Sequence, residues 1–327
     1  MITAYAAMAE TGALQAAVVG PTGPIPPAAL WLDLLEPSRE EEKAVEAALG
    51  IEIPSREEMQ EIELSSRLYS EHGALFMTAS LVAHADSDNP LTAPVTFILA
   101  GDRLVTLRYV EPTPFRLFAN QVAKAGHGVA RGEDAFAGLI DAIIDRLADI
   151  LEHVQRDVDM LSRQVFAPPA PGTKPDFRGM LRHIGRNEEL TSRARDSLAS
   201  ISRVLSFIGR AAGSDKNGGH QPAARSYEVL QRDAASLSDY AGFLSNSNAF
   251  LLETTLGLIN IEQNTIIKIF SLMAVVFLPP TLIASIYGMN FQFMPELASP
   301  YGYPVALLLM VLSVVLTFRY FKRRGWL

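Results

Sequence analysis

The sequence predicts an α+β cytoplasmic domain, a long stalk helix and two C-terminal transmembrane helices. Three observations predict it. Two apolar runs, Ile266 to Tyr287 and Tyr301 to Tyr320, lie near the C-terminus, and each has roughly the 20 residues needed to cross a hydrocarbon core. A helical period of apolar residues sets in after Gly132, and short β-rich runs come before it.

Residues 1–130 read as a small mixed sheet flanked by helices. β-rich runs fall at Gln15–Val19, Leu30–Leu34, Ala74–Ala83, Val95–Leu99 and Leu104–Tyr109. The last two are joined by Ala100-Gly101-Asp102-Arg103, which suits a hairpin turn. Ser38 is the expected N-cap of a helix to Leu49, with Glu40, Glu41 and Glu42 in its first turn. Pro21–Pro27 reads as a turn or linker.

Residues 131–222 read as an antiparallel helical pair. Phe136, Leu139, Ile143, Leu147, Leu151 and Val154 recur at steps of three and four. Pro168 to Gly172 ends this first helix, and a second is expected from about Asp176 to Ala212. The glycine-containing stretch Gly213–Pro222 lacks the spacing of a P-loop. Residues 223–287 form a stalk helix that continues into the first membrane crossing. From Gln231 to Tyr287 it would extend about 85 Å. A periplasmic loop at 288–303 follows, with Pro295 and Pro300 as breakers. The second crossing is expected at 304–321 and a basic cytoplasmic tail at 322–327.

Composition narrows the function classes. The 327 residues include no cysteine, which excludes disulfides, thiolate metal sites and cysteine nucleophiles. The six histidines are scattered without His-Glu-x-x-His spacing, and no Gly-x-Ser-x-Gly elbow is present. Enzymatic chemistry is therefore not expected, and neither is an organic cofactor. No basic segment precedes an apolar core at the N-terminus, so no signal peptide is expected. Between Gly288 and Phe318 there is no Lys or Arg, whereas Arg319, Lys322, Arg323 and Arg324 cluster afterwards. The positive-inside rule puts that end in the cytoplasm, and two crossings put the N-terminal part there too. Residues 1–265 carry 35 Asp and Glu against 23 Lys and Arg. Nucleic acid, which needs a basic footprint, is not an expected partner; the bilayer is.

A second pattern runs along the stalk. Glu253, Gly257, Asn260, Asn264, Ile267, Ser271, Ala274, Leu278, Thr281, Ser285 and Gly288 alternate at steps of four and three. A repeat of 3.5 marks a seam along which helices face a common axis. The seam is small or polar at membrane depth, while Phe270, Met273, Val276, Phe277 and Ile283 lie off it. Polar groups at that depth face protein or water. Two readings fit: a helix–helix contact of small residues, and the lining of a pore. Amide and hydroxyl oxygens at Asn260, Asn264, Thr281, Ser285 and Asn290 could hydrogen-bond the hydration shell that Mg²⁺ releases reluctantly. Ile267 and Leu278 would then form apolar rings able to block by dewetting.

The first apolar run closes on Tyr287-Gly288-Met289-Asn290, followed by Met294-Pro295-Glu296-Leu297 and the basic ending Lys322 to Leu327. In these motifs the chain resembles the CorA family of divalent-cation channels. The resemblance implies a homopentamer that passes Mg²⁺, often also Co²⁺ or Ni²⁺, across the inner or plasma membrane. The family's zinc-transporting branch departs from this sequence after the Asn, which favours the magnesium branch. Asn290, Thr281 and Asn264 match the family's pore positions in type. Leu278 and Ile267 stand where the family often has methionine, and Ser285 where it often has glycine. Tyr287, Met289 and the outer-loop residue Glu296 belong to the expected entrance.

Regulation by internal Mg²⁺ is also expected. Around a fivefold axis the acidic faces of the helix after Gly132 and of the stalk recur, and they repel unless a cation intervenes. Glu253 would form an acidic ring, and Asp86, Asp88 and Asp233 are candidate regulatory metal ligands. Alternatives to magnesium influx are zinc or cobalt transport and a non-conducting membrane scaffold.

Overall fold

The computed structural model describes residues 1–8, 13–21, 23–87, 89–124, 129–167, 175–214, 221–290, 292, 294–295 and 299–325. They form two compact units, Met1–Leu252 and Glu253–Leu327.

The first unit is built on a seven-stranded sheet in the order β2-β1-β3-β7-β6-β5-β4. Its strands are β1 (Ile2–Ala7), β2 (Leu14–Val19), β3 (Ala29–Leu35), β4 (Leu68–Glu71), β5 (Ala74–Ala83), β6 (Leu91–Ala100) and β7 (Arg103–Arg108). Only β3 and β7 pair in parallel among the described strands. The two tight hairpins follow from their turn residues. Gly101, at φ +58°, takes the first corner between β6 and β7. His72 and Gly73, at φ +50° and +78°, turn β4 into β5. Positive φ at both central residues of the β4–β5 turn, and at the first of the β6–β7 turn, matches the right-handed twist of the flanking strands. The sequence reading missed β1 and β4 and began β6 four residues late.

Alternation along the strands buries both faces of the sheet. On one face Leu32, Leu34, Val105 and Leu107 pack with Val45 of α1 (Arg39–Leu49) and Met59 of α2 (Arg56–Gln60). A capping box fixes the start of α1: the Glu41 amide donates to Ser38 Oγ and the Ser38 amide to Glu41 Oε2. The short α3 (Leu64–Arg67) leads directly into β4.

On the other face Trp31 lies 5.6 Å from Phe118 of α4 (Thr113–Val122), and Phe97 meets Phe136 of α5 (Gly132–Phe166) edge-on at 5.5 Å. A charged pair is buried among these rings. The Arg108 guanidinium donates to both carboxylate oxygens of Asp33 at 3.0 and 2.8 Å. Thr106 Oγ1 donates to Asp33 Oδ1, and Trp31 Nε1 donates to Thr106 Oγ1. Asp33 and Arg108 are 4% and 6% exposed, so this bidentate geometry is what makes their desolvation tolerable. Helix α5 begins hard against β7: a Cβ on Gly132 would come within 2.4 Å of the Arg103 carbonyl carbon.

Helix α6 (Phe177–Ser214) packs on α5 and on β5, where Ser200 Oγ accepts the Ser80 amide. The first part of α7 (Gln221–Tyr287) lies against both: Tyr227 meets Phe136 edge-on at 6.0 Å, and Ser245 Oγ donates to Glu188 of α6. The helix begins two residues before the 223 expected from sequence.

The second unit holds the rest of α7 and α8 (Gly302–Arg323), both long and apolar enough to cross a membrane. Helix α8 extends two residues beyond the expected 304–321 at each end. Large apolar side chains stand exposed on both, among them Phe270 at 68% and Leu308 at 65%. The half-covered residues form one stripe on each helix: Leu272, Val276, Pro279, Pro280, Ile283 and Tyr287 on α7; Gly302, Ala306, Met310, Ser313, Thr317 and Phe321 on α8. These recurring three- and four-residue steps mark the faces on which the hairpin closes.

Candidate functional site

The seam lies away from that closing face. At about 100° per residue, Ser271, Ala274, Leu278, Thr281, Ser285 and Gly288 fall on the opposite side of α7, about 180° from the covered stripe. Every seam residue from Glu253 to Gly288 is exposed in the single chain, Ile267 at 61% and Leu278 at 66%. A small-residue contact between α7 and α8 therefore does not explain the seam. A surface that is polar, small and turned from its own hairpin partner meets other chains or water.

The signature tetrad terminates the helix. Tyr287 is its last residue, the Gly288 amide still donates to the Ala284 carbonyl, and the Met289 amide to that of Ile286. Asn290 follows in irregular backbone, exposed, two residues beyond the last seam position. A Cβ on Gly288 would stand 3.1 Å from the Ala284 carbonyl oxygen, tight enough to disturb this last turn.

About two turns earlier, Pro279 and Pro280 lie inside α7 and remove two amide donors. Directly after them Thr281 Oγ1 donates to the carbonyls of Phe277 and Leu278, at 2.6 and 3.0 Å. With its proton so committed, the hydroxyl oxygen can only accept. An acceptor is what a water in the outer face of a hydrated cation requires, because its hydrogens point outward.

The regulatory candidates are scattered. Asp86 is paired with Arg146 of α5, whose guanidinium donates to its carboxylate at 2.6 Å. The two are 60 residues apart, so no local sequence signal reveals the pairing. Asp88 and Glu296 lie outside the described residues. Asp233 lies near Asp141 of α5: burial, then the carboxylates of Asp145 and Asp233, holds the Asp141 carboxyl above its usual range. Among the described residues no three His, Cys, Asp or Glu come close enough to hold a metal ion directly.

The CorA-like Mg²⁺ transporter protein family matches residues 28–323. The chain belongs to the CorA family. The magnesium transport protein CorA of Pasteurella multocida is 37% identical over 300 residues, spanning 91% of this chain and 92% of its own. That of Escherichia coli K12 is 36% identical over the same shares. The complete CorA magnesium transporter of Methanocaldococcus jannaschii superposes with a TM-score of 0.74 at 18% identity, over 100% of this chain and 99% of that one. The CorA fold expected from the tetrad thus holds over the full chain, including the sheet, whose strand order no motif announced. Members of the CorA family are transporters, which agrees with the want of catalytic motifs.

Proposed function

We propose that this chain is a homopentameric channel that passes Mg²⁺ inward down its electrochemical gradient. The observation that carries the reading is the exposed polar seam on the face of α7 opposite its hairpin partner, ending at Asn290. Placed around a common axis, five copies give rings of oxygen acceptors at Asn290, Ser285, Thr281, Ser271, Asn264 and Asn260, interrupted by apolar rings at Leu278 and Ile267. Asn290, with Tyr287, Gly288 and Met289 just before it, receives the hydrated ion at the outer mouth, and the sequence motif adds Glu296 of the loop to the entrance. The acceptor rings hold its water shell without stripping it, so that the ion binds weakly enough to leave. The names of the CorA relatives support Mg²⁺ as cargo; Co²⁺ and Ni²⁺ are secondary cargoes in this reading.

The basic cluster after Phe318 supports an inner-membrane orientation with both termini in the cytoplasm. In it residues 1–130 form the cytoplasmic domain, 131–222 the helical pair, 223–287 the stalk and first crossing, 288–303 the outer loop, 304–321 the second crossing and 322–327 the tail. Cytoplasmic Mg²⁺ acts as a regulator held between neighbouring subunits. The nearness of Asp145 and Asp233 to Asp141 supports this, since a hydrated cation held between subunits would relieve their repulsion. Asp86, already neutralised by Arg146, is the weaker ligand of the candidates, and Glu253 supplies an acidic ring on the axis.

Ion-competition flux into liposomes tests the function. Purified protein should give Mg²⁺ entry that Co²⁺ and Ni²⁺ inhibit and that needs no nucleotide. Entry of Zn²⁺ in preference to Mg²⁺ would favour the zinc branch, and no flux of any divalent ion would leave a scaffold.

A further inference from the structure

Away from the seam, a basic cleft opens in the first unit where α3 and β4 meet α6. Its volume is about 450 Å³, within the range of small-molecule sites. Ser65 and Leu68 line one side; Ser202, Arg203, Phe207 and Arg210 line the other. Behind it Arg67 is fixed: Nε donates to the Glu61 carbonyl and Nη1 to Ser80 Oγ at 3.2 Å. Burial, and then the charge of Arg203, lowers the proton affinity of Arg67. Two guanidinium groups, those of Arg203 and Arg210, therefore line the cleft, and that of Arg67 stands behind its wall, close enough to feel the charge of Arg203. None of the three has an ion-pair partner among the described residues. That is unexpected in a chain whose first 265 residues carry an acidic excess, and where Arg108, Arg146 and Arg193 all have carboxylates.

The hydroxyls divide in the same direction. Ser206 Oγ is engaged on both sides, donating to the Ser202 carbonyl and accepting from Gln231 Nε2. It braces the wall and holds α7 to α6. Ser202 and Ser65 keep their hydroxyls available at the rim. Guanidinium forks with hydroxyl donors beside them match the geometry and charge of phosphate oxygens. Phe207 is half-buried and Leu68 lies opposite, so the cleft also offers an aromatic face and an apolar wall. Inorganic phosphate uses neither.

We infer that the cleft between α3–β4 and α6 binds a nucleoside polyphosphate, its phosphates on Arg203 and Arg210 with Arg67 behind them, its base against Phe207. The site uses no residue of the seam, so it stands or falls independently of the conduction reading. It places a sensor of nucleotide charge in the soluble unit of a protein of the CorA family.

Binding of a fluorescent ATP analogue to the full-length, detergent-purified protein tests this. Free Mg²⁺ is held constant with a metal buffer, because ATP chelates the ion. Arg203→Gln with Arg210→Gln, both at exposed positions, should weaken binding by about tenfold or more, the loss expected for charge-assisted hydrogen bonds. Phe207→Ala should weaken ATP but leave tripolyphosphate competition unchanged. Unlabelled ATP should displace the probe more strongly than tripolyphosphate, and adenosine should not displace it at the same concentration. An elution volume on size-exclusion chromatography equal to that of the wild type would show that the double variant is folded and assembled as before. Equal affinity in wild type and double variant, tripolyphosphate equal to ATP, or no binding in the millimolar range would each overturn the inference.

Discussion

At the scale of single residues, the hydroxyl of Thr281 is more informative than its position in a repeat. Its proton is committed to the Phe277 and Leu278 carbonyls, so it faces the seam as an acceptor only. Thr281→Val keeps the shape and removes the acceptor; Mg²⁺ flux should fall several-fold, and Thr281→Ser should restore most of it. If the valine variant conducts like wild type, the ring at this level has no part in holding the water shell. Asn290→Ala should abolish uptake while the oligomer, sized by chromatography, stays intact; wild-type flux in such a protein would remove the filter assignment. The Asp33–Arg108 pair permits a prediction about stability instead. Asp33→Ala leaves Arg108 charged and buried without its carboxylate, with the Val110 carbonyl and the Phe115 ring still against it, at a cost of about 3–5 kcal/mol. Trp31, fully buried beside the pair, reports it: the urea midpoint of its fluorescence should drop clearly in Asp33→Ala. An unchanged midpoint would mean that water or another carboxylate reaches Arg108.

At the scale of elements, α7 combines two surfaces on opposite sides, one closed on α8 and one open. Leu278 and Ile267 belong to the open side, and replacing either with Asn should wet the proposed constriction and raise leak at high internal Mg²⁺. Closed-state conductance unchanged in both variants would exclude them as gates. Much of this element was legible in the sequence, because a repeat of 3.5 and a run of apolar residues are local signals. The amphipathic period of α5 and the Ser38 capping box were legible for the same reason. Other features were not. The segments Ile2–Ala7 and Leu68–Glu71 are short, and the first is mostly alanine and small residues, so neither carries the branched alternation that marks a strand. Asp33 and Arg108 are 75 residues apart, and the pairing of Asp86 with Arg146 is similarly remote; such contacts exist only once the sheet and α5 are assembled. The cleft beside Phe207 was missed on the same ground, since Ser65 and Arg210 meet only in the fold. For the candidate site, the sequence carried the order of seam residues, and the structure added the direction the seam faces.

At the scale of the whole molecule, the proposed regulation rests on an excess of carboxylates on α5 and α7. Limited proteolysis with and without millimolar Mg²⁺, at constant ionic strength because salt screens the same repulsion, should show slower cleavage when Mg²⁺ is present. Equal rates would remove the sensing proposal and leave the transport proposal standing. The sheet of the first unit carries a different consequence. Its strands fall into two contiguous sets, β1–β3 and β4–β7, stitched by the single parallel pair β3–β7. Each hairpin closes a loop of a few residues, whereas the stitch closes one of more than seventy, a larger entropic cost. The two half-sheets should therefore form first and join late. Until they join, or whenever the Asp33–Arg108 clasp is weakened, β3 and β7 each present an unpaired apolar edge, the kind of edge on which chains add to one another as aggregates. On this view the buried ion pair, once formed, keeps the stitch shut and so keeps the chain from adding edge to edge onto its own copies.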